Sequence, residues 1–188
     1  MDIRCFIAID ISVQIRKELG ELIGILTKHN ADVKWVTADN IHLTLKFLGY
    51  TPENLLPKIS ESLATAISSY EPFYIRIYGT GVFPSRRNPR VIWVGLEDSG
   101  ILKTLKSDIE KSMSSLGYQR EDKEFRPHLT LGRVRSNKGM IGIENELDNF
   151  REKDFGTLQV DRVKLMKSDL NPKGAEYTCL YDMMFRRK

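Results

Sequence analysis

The sequence predicts a duplicated fold of mixed strands and helices, two strand–helix–strand units related by a rough two-fold axis. Three observations predict it. The tetrapeptide His-Leu-Thr-Leu occurs twice, at 42–45 and at 128–131, an offset of 86 residues. The same offset carries the apolar run 5–10 onto the apolar run 91–96. It also carries Ser12 onto Asp98, and Ile15, Leu19 and Ile23 onto Ile101, Leu105 and Ile109 without a gap. A repeated tetrapeptide alone could be chance. Strand, helix cap, helix stripe and polar motif recurring in register mark a structural repeat over 5–45 and 91–131.

Each element has its own local reason. Residues 4–10 are apolar and rich in β-branched side chains, the pattern of a strand buried on both faces. Ser12 then offers a hydroxyl to orphan amides, and Ile15, Leu19, Leu22 and Leu26 fall on one helical face. A short strand covers 33–36. Over 41–47, Ile41, Leu43, Leu45 and Phe47 alternate with His42, Thr44 and Lys46, which gives a strand with one core face and one polar face. Thr51-Pro52-Glu53 reads as a helix start with Thr51 as cap, followed by the stripe Leu56, Ile59, Leu63 and Ile67. A strand runs over 73–78, and 79–90, rich in Gly, Pro and Arg, reads as a loop. After the strand 91–96, Asp98 caps a helix bearing Leu102, Leu105, Ile109, Met113 and Leu116. Residues 127–132 repeat the alternating strand. A short helix near 141–150 and a hairpin of strands 158–167 and 176–185, turning at Asn171-Pro172-Lys173-Gly174, complete the chain. No linker or low-complexity stretch divides it, so 1–188 is read as a single domain.

The bulk numbers exclude more than they assign. The hydrophobic and charged fractions, 41% and 29%, are ordinary for a globular protein, which removes disordered and fibrous classes. A formal net charge of +4 mildly favours an anionic partner. Cys5 and Cys179, alone and far apart, make neither a disulfide scaffold nor a zinc site, and are expected as buried, reduced thiols. No segment approaches membrane-spanning length, and the chain is expected to be soluble and cytoplasmic.

The chemistry rests on two histidines, each with a threonine two residues on. Strand alternation puts each pair on a non-core face, and a two-fold relation can set His42 opposite His128 across a cleft. Imidazole and imidazolium are both accessible near pH 7, so two such groups around one phosphorus can activate an attacking oxygen and protonate a leaving one. Each threonine hydroxyl lies roughly 6.5–7 Å along the same face, placed to hold a phosphoryl oxygen. Neither motif brings a carboxylate to that face, so no metal site and no cofactor are expected.

Four segments carry a resemblance: Phe6-Ile7-Ala8-Ile9-Asp10, the run 42–49 beginning His42-Leu43-Thr44-Leu45, Pro89-Arg90-Val91-Ile92-Trp93, and the run 125–133 from Phe125 to Arg133. Together they resemble the two-histidine (2H) phosphoesterases, within them the RNA 2′,3′-cyclic phosphodiesterases also called 2′-5′ RNA ligases. The resemblance implies an α+β bilobal fold, an antiparallel sheet in each lobe, helices outside and a central cleft between the lobes. It implies metal-independent hydrolysis of a terminal 2′,3′-cyclic phosphate to a 2′-phosphate, with His128 as base and His42 as acid. That order is inherited from the family, since the repeat is nearly symmetric. Thr44 and Thr130 match its phosphate-holding positions, and Arg133 its basic position after the second motif. The implied partner is RNA with a 2′,3′-cyclic phosphate end, tRNA fragments included, met by a monomer without membrane contact. Joining RNA ends by the reverse reaction, cleaving a small cyclic nucleotide or 2′-5′ oligonucleotide, and binding RNA ends without catalysis are the alternatives.

The remaining candidates are weighed by parity. Strict alternation from His128 aims Arg133 at the opposite face. Either Gly132 permits a bulge that re-aims it, or it works from the strand end. Arg126 shares parity with His128, and Lys46 with His42, as charges on the cleft wall. Arg86, Arg87 and Arg90, with Phe83, offer charge and an aromatic ring suited to a single-stranded RNA end. Trp35 and Trp93 are expected in the core or the cleft wall. His29, beside a helix C-terminus, is given no catalytic role.

Overall fold

A computed structural model of the chain describes residues 1–171 and 174–186. The order is β1 (Asp2–Asp10), α1 (Val13–Thr27), β2 (Val33–Trp35), β3 (His42–Pro52), α2 (Leu56–Ile67), β4 (Phe73–Ser85), β5 (Asn88–Glu97), α3 (Ile101–Ser115), β6 (His128–Val134), α4 (Met140–Asn149), β7 (Asp154–Val160), β8 (Arg162–Asn171) and β9 (Gly174–Met184). The strands form two antiparallel sheets, one ordered β3-β1-β8-β9 and the other β2-β6-β5-β4-β7. This is the duplicated, bilobal α+β architecture expected, with a cleft between the sheets.

The local signals hold where the contacts are local. Ile15 donates its amide to the Ser12 hydroxyl at 3.2 Å, and Ile15, Leu19, Leu22 and Leu26 are the buried stripe of α1. The N-cap position of α3 is Gly100 rather than Asp98, but Leu102 of the first turn donates its amide to the Asp98 carboxylate at 2.6 Å. Burying one such leucine side chain is worth about 1.5–3 kcal/mol before the entropic cost of ordering it.

Helices α1 and α3 are exchanged between the lobes. Helix α1, joined to the first sheet by β1, packs on β7 of the second, where Ile15 lies against Gly156. Its C-terminal end meets α4, with His29 3.4 Å from Glu146, and α4 lies on β4. Helix α3, joined to the second sheet by β5, packs on β3 of the first, and α2 lies against α3 and β9. The buried side chains of both sheets form one continuous hydrophobic cluster.

Four expectations are corrected. Cys5 is buried as expected, but Cys179, on β9, is exposed. The segment 79–90 is not a loop: β4 runs to Ser85 and pairs with β5 up to Ser85 opposite Asn88. Gly79, at φ +71, sits at the register shift between Tyr78 and Thr80, so the glycine marks a bulge rather than a strand end. Thr51 is no helix cap. Strand β3 continues through Pro52, a 3₁₀ turn Glu53–Leu55 follows, and the buried Thr51 hydroxyl accepts from Tyr118 at 3.1 Å. The stretch 158–167 breaks at Asp161, giving β7 to one sheet and β8 to the other. The β8–β9 hairpin is as expected, although Pro172 and Lys173 of its turn lie outside the described residues.

Candidate active site

Strands β3 and β6 carry the two motifs on matching frames. Over 42–48 and 128–134 the burial sequence is the same: half-buried, buried, half-buried, buried, buried, exposed, buried. The two adjacent buried positions mark a bulge. Ile7 faces Lys46 and Ala8 faces Thr44, which leaves Leu45 extra; Ile92 faces Gly132 and Trp93 faces Thr130, which leaves Leu131 extra. An inserted residue reverses the alternation beyond it. Arg133 therefore turns into the cleft, settling the parity conflict in favour of the bulge.

The same bulge overturns two expectations in β3. Lys46 is not on the cleft wall; at 1% exposure it is in the core, with its ammonium 2.6 Å from Glu110. Phe47, expected in the core, is 55% exposed and lines the cleft. At the site matching Lys46, a side chain on Gly132 would meet Val33 at 2.6 Å and Trp35 at 2.9 Å, so glycine lets β2 lie against β6.

A cavity of about 820 Å³ lies between the lobes, lined by His42, Thr44, His128, Thr130 and Arg133. Each imidazole is oriented through its Nδ1. His42 donates Nδ1–H to the Asn40 carbonyl at 2.8 Å, and His128 donates to the Arg126 carbonyl at 2.7 Å. A carbonyl can only accept, so both rings carry hydrogen on Nδ1 and keep Nε2 for other partners. In His42, Nε2 is 3.0 Å from the Thr44 hydroxyl. The ring of His42 packs on Phe6 at 4.8 Å and edge-on to Tyr177 at 5.2 Å. His128 meets Phe83 edge-on at 5.1 Å, and Phe83 stacks on Trp93 at 4.9 Å.

Burial pushes both imidazoles below their ordinary value of 6.5. The carbonyl bond at Nδ1 opposes this in each ring, and the Arg133 guanidinium adds to the depression in both. Asp10 pulls His42 upward, with no counterpart at His128. Asp10 is the cross-strand neighbour of His42 and is itself bound by Arg16 and Lys164, each at 2.9 Å.

The other candidates divide. Arg126 lines the cavity from a 65%-exposed side chain paired with Glu124 at 3.0 Å, and its backbone holds His128. Arg90, Phe83 and Trp35 also line it, whereas Arg86 is turned to an ion pair with Asp148 of α4. Asn40 and Tyr177 carry no signal in the sequence. The Asn40 side chain donates to the Ala175 carbonyl at 2.7 Å, tying the β8–β9 hairpin to the turn that orients His42. Lys34 lies opposite Arg133 in register and lines the cleft as a further cation. Among the described residues, no three His, Cys, Asp or Glu side chains gather in a way that could hold a metal ion, and no helix is long and apolar enough to cross a membrane.

The sequence model of the 2′-5′ RNA ligase superfamily matches residues 14–172. The chain belongs to this superfamily. Within the 2′-5′ RNA ligase superfamily, the RNA 2′,3′-cyclic phosphodiesterase of Methanothermobacter thermautotrophicus is 33% identical over 178 residues, covering 95% of this chain and 96% of the relative. The RNA 2′,3′-cyclic phosphodiesterase of Thermotoga maritima is 35% identical over 186 residues, covering 97% and 95%. A crystal structure of a Thermus thermophilus protein superposes with a TM-score of 0.80 at 29% identity, over 96% of this chain and 97% of that one. Escherichia coli LigT complexed with 3′-AMP shares the fold, with a TM-score of 0.74 at 24% identity over 100% of both chains. The resemblance carried by the two His-x-Thr motifs is thus the family to which the chain belongs.

Proposed function

We propose that this protein hydrolyses the 2′,3′-cyclic phosphate at an RNA end to a 2′-phosphate, with His128 as general base and His42 as general acid. One observation carries the reading: two imidazoles, each fixed by an Nδ1–H bond to a carbonyl two residues upstream, line one cavity with two threonines and an arginine. Water attacks phosphorus as its proton passes to Nε2 of His128. The bond from phosphorus to O3′ breaks, and O3′ takes the proton from Nε2 of His42. The product is a 2′-phosphomonoester with a free 3′-hydroxyl, and proton transfer through the solvent resets the pair. Thr44, Thr130 and Arg133 hold the non-bridging oxygens, where charge builds in the transition state.

The electrostatics favour this order of roles. Burial and Arg133 lower both imidazoles, which suits a neutral base at His128, and Asp10 alone separates the pair by pulling His42 towards its protonated form. The names of the Methanothermobacter and Thermotoga relatives support the same reaction, and tRNA fragments with cyclic phosphate ends fall within its substrate class. The deciding experiment incubates the protein with a short RNA bearing a 2′,3′-cyclic phosphate in EDTA and follows the product by phosphorus NMR. A 2′-phosphate should accumulate, and His42→Ala or His128→Ala should each lower turnover by about 10²–10⁴-fold. Turnover abolished by EDTA, or left intact in either alanine variant, defeats the mechanism.

A further inference from the structure

Lys46, Lys106 and Glu110 form a buried charged cluster that the proposed chemistry leaves unused. The Lys46 ammonium donates to Glu110 at 2.6 Å and to the Gln119 backbone carbonyl at 2.8 Å. Lys106 donates to the other oxygen of Glu110 at 2.6 Å and to Glu121 at 2.7 Å, and lies 5.7 Å from the centre of the Phe125 ring. Burial raises the Glu110 carboxyl, but the hydrogen bonds and positive charges of Lys106 and Lys46 together hold the group below its ordinary value. Charges removed from water are costly, and an apolar core of equal volume is often as stable. The cluster therefore calls for a role beyond stability.

The internal repeat supplies one. The 86-residue offset carries β2 onto 119–121. Strand β2 crosses to the other lobe and pairs with β6, with Trp35 opposite Gly132. The segment 119–121 reaches the matching place on β3, where the position equivalent to Gly132 is Lys46. No strand forms there; instead the ammonium holds Gln119 directly and Glu121 through Glu110 and Lys106. From Glu121 the chain runs along the cleft wall to Arg126, whose carbonyl orients His128. Lys46 itself lies four residues beyond His42.

We propose that Lys46 is a positioning residue: with Glu110 and Lys106 it clamps 119–125 and so fixes the carbonyl that sets the His128 ring relative to His42. The proposal rests on His128 serving as the base. Lys46→Met removes the ammonium but keeps the length of the chain, Lys46→Arg restores donors, and Glu121→Ala cuts only the outer tether, at a 41%-exposed side chain. Nitrogen-15 NMR of the histidines, titrated with pH, should show His128 leaving its single tautomer in Lys46→Met while His42 is unchanged. Turnover of cyclic-phosphate RNA should fall about ten- to a hundred-fold in kcat with little change in KM, as for a misplaced catalytic group, and Lys46→Arg should recover part of it. A folded Lys46→Met protein with unchanged His128 signals and kcat overturns the proposal, as does equal disturbance of His42. If Lys46→Met does not fold, Glu121→Ala decides: a smaller shift at His128 supports the clamp, and no shift overturns it. The NMR readout needs no turnover, so a wild-type protein inert towards RNA would sink the hydrolase reading, while the His128 signals would still report whether Lys46 fixes the ring.

Discussion

Arg133 bears on both imidazoles at once. Its guanidinium disfavours the protonated form of His42 and of His128, adding to what burial does. Arg133→Gln removes that charge and keeps a polar side chain. The sign follows directly: with the cation gone, imidazolium is less disfavoured, so both groups hold their protons to higher pH. The base must be neutral, which moves the acid limb of the rate profile to higher pH; the acid must be protonated, which moves the alkaline limb the same way. The whole bell in kcat/KM should shift alkaline, while its maximum falls about 10²–10³-fold because a phosphoryl oxygen loses a charged donor. A pH–rate profile with histidine NMR titration checks this, and a bell that stays in place or moves towards acid refutes it.

At the scale of elements, the paired bulges in β3 and β6 decide which side chains reach the cleft. Gly132→Ala tests the second of them. The added methyl would press on Val33 and Trp35 at under 3 Å, so β2 must shift or lift from β6. Overpacking of this kind typically costs about 1–3 kcal/mol. Urea unfolding should show that loss, with weaker RNA binding because Lys34 and Arg133 share the disturbed pair of strands. An unchanged midpoint would mean that the contact yields freely.

The bulges also explain what the sequence conceals. Alternation is legible from Ile41 to Leu45 because it is a property of one strand. The extra residue at Leu45 is set by register against β1, so strict alternation puts Lys46 and Phe47 on each other's faces. Ser12 and Asp98 are legible because each bonds its own helix. Asn40 and Tyr177 are not, since their partners lie far along the chain: Asn40 reaches Ala175, and Tyr177 packs on Phe6 and His42.

For the molecule as a whole, the exchange of helices matters most. Each sheet takes part of its cover from a helix that the other half of the chain supplies, α1 on β7 and α3 on β3, and one apolar cluster runs through both. Neither half buries its sheet alone. Heating should therefore give one transition, with the calorimetric enthalpy equal to the van't Hoff value, and a fragment ending at residue 86 should stay unfolded. Two separable transitions, or a folded fragment, would contradict the interlacing. Lobes bound in this way cannot swing like jaws. An RNA terminus meets a notch of fixed gape, so selection among termini must come from the stereochemistry of the last ribose rather than from closure around it.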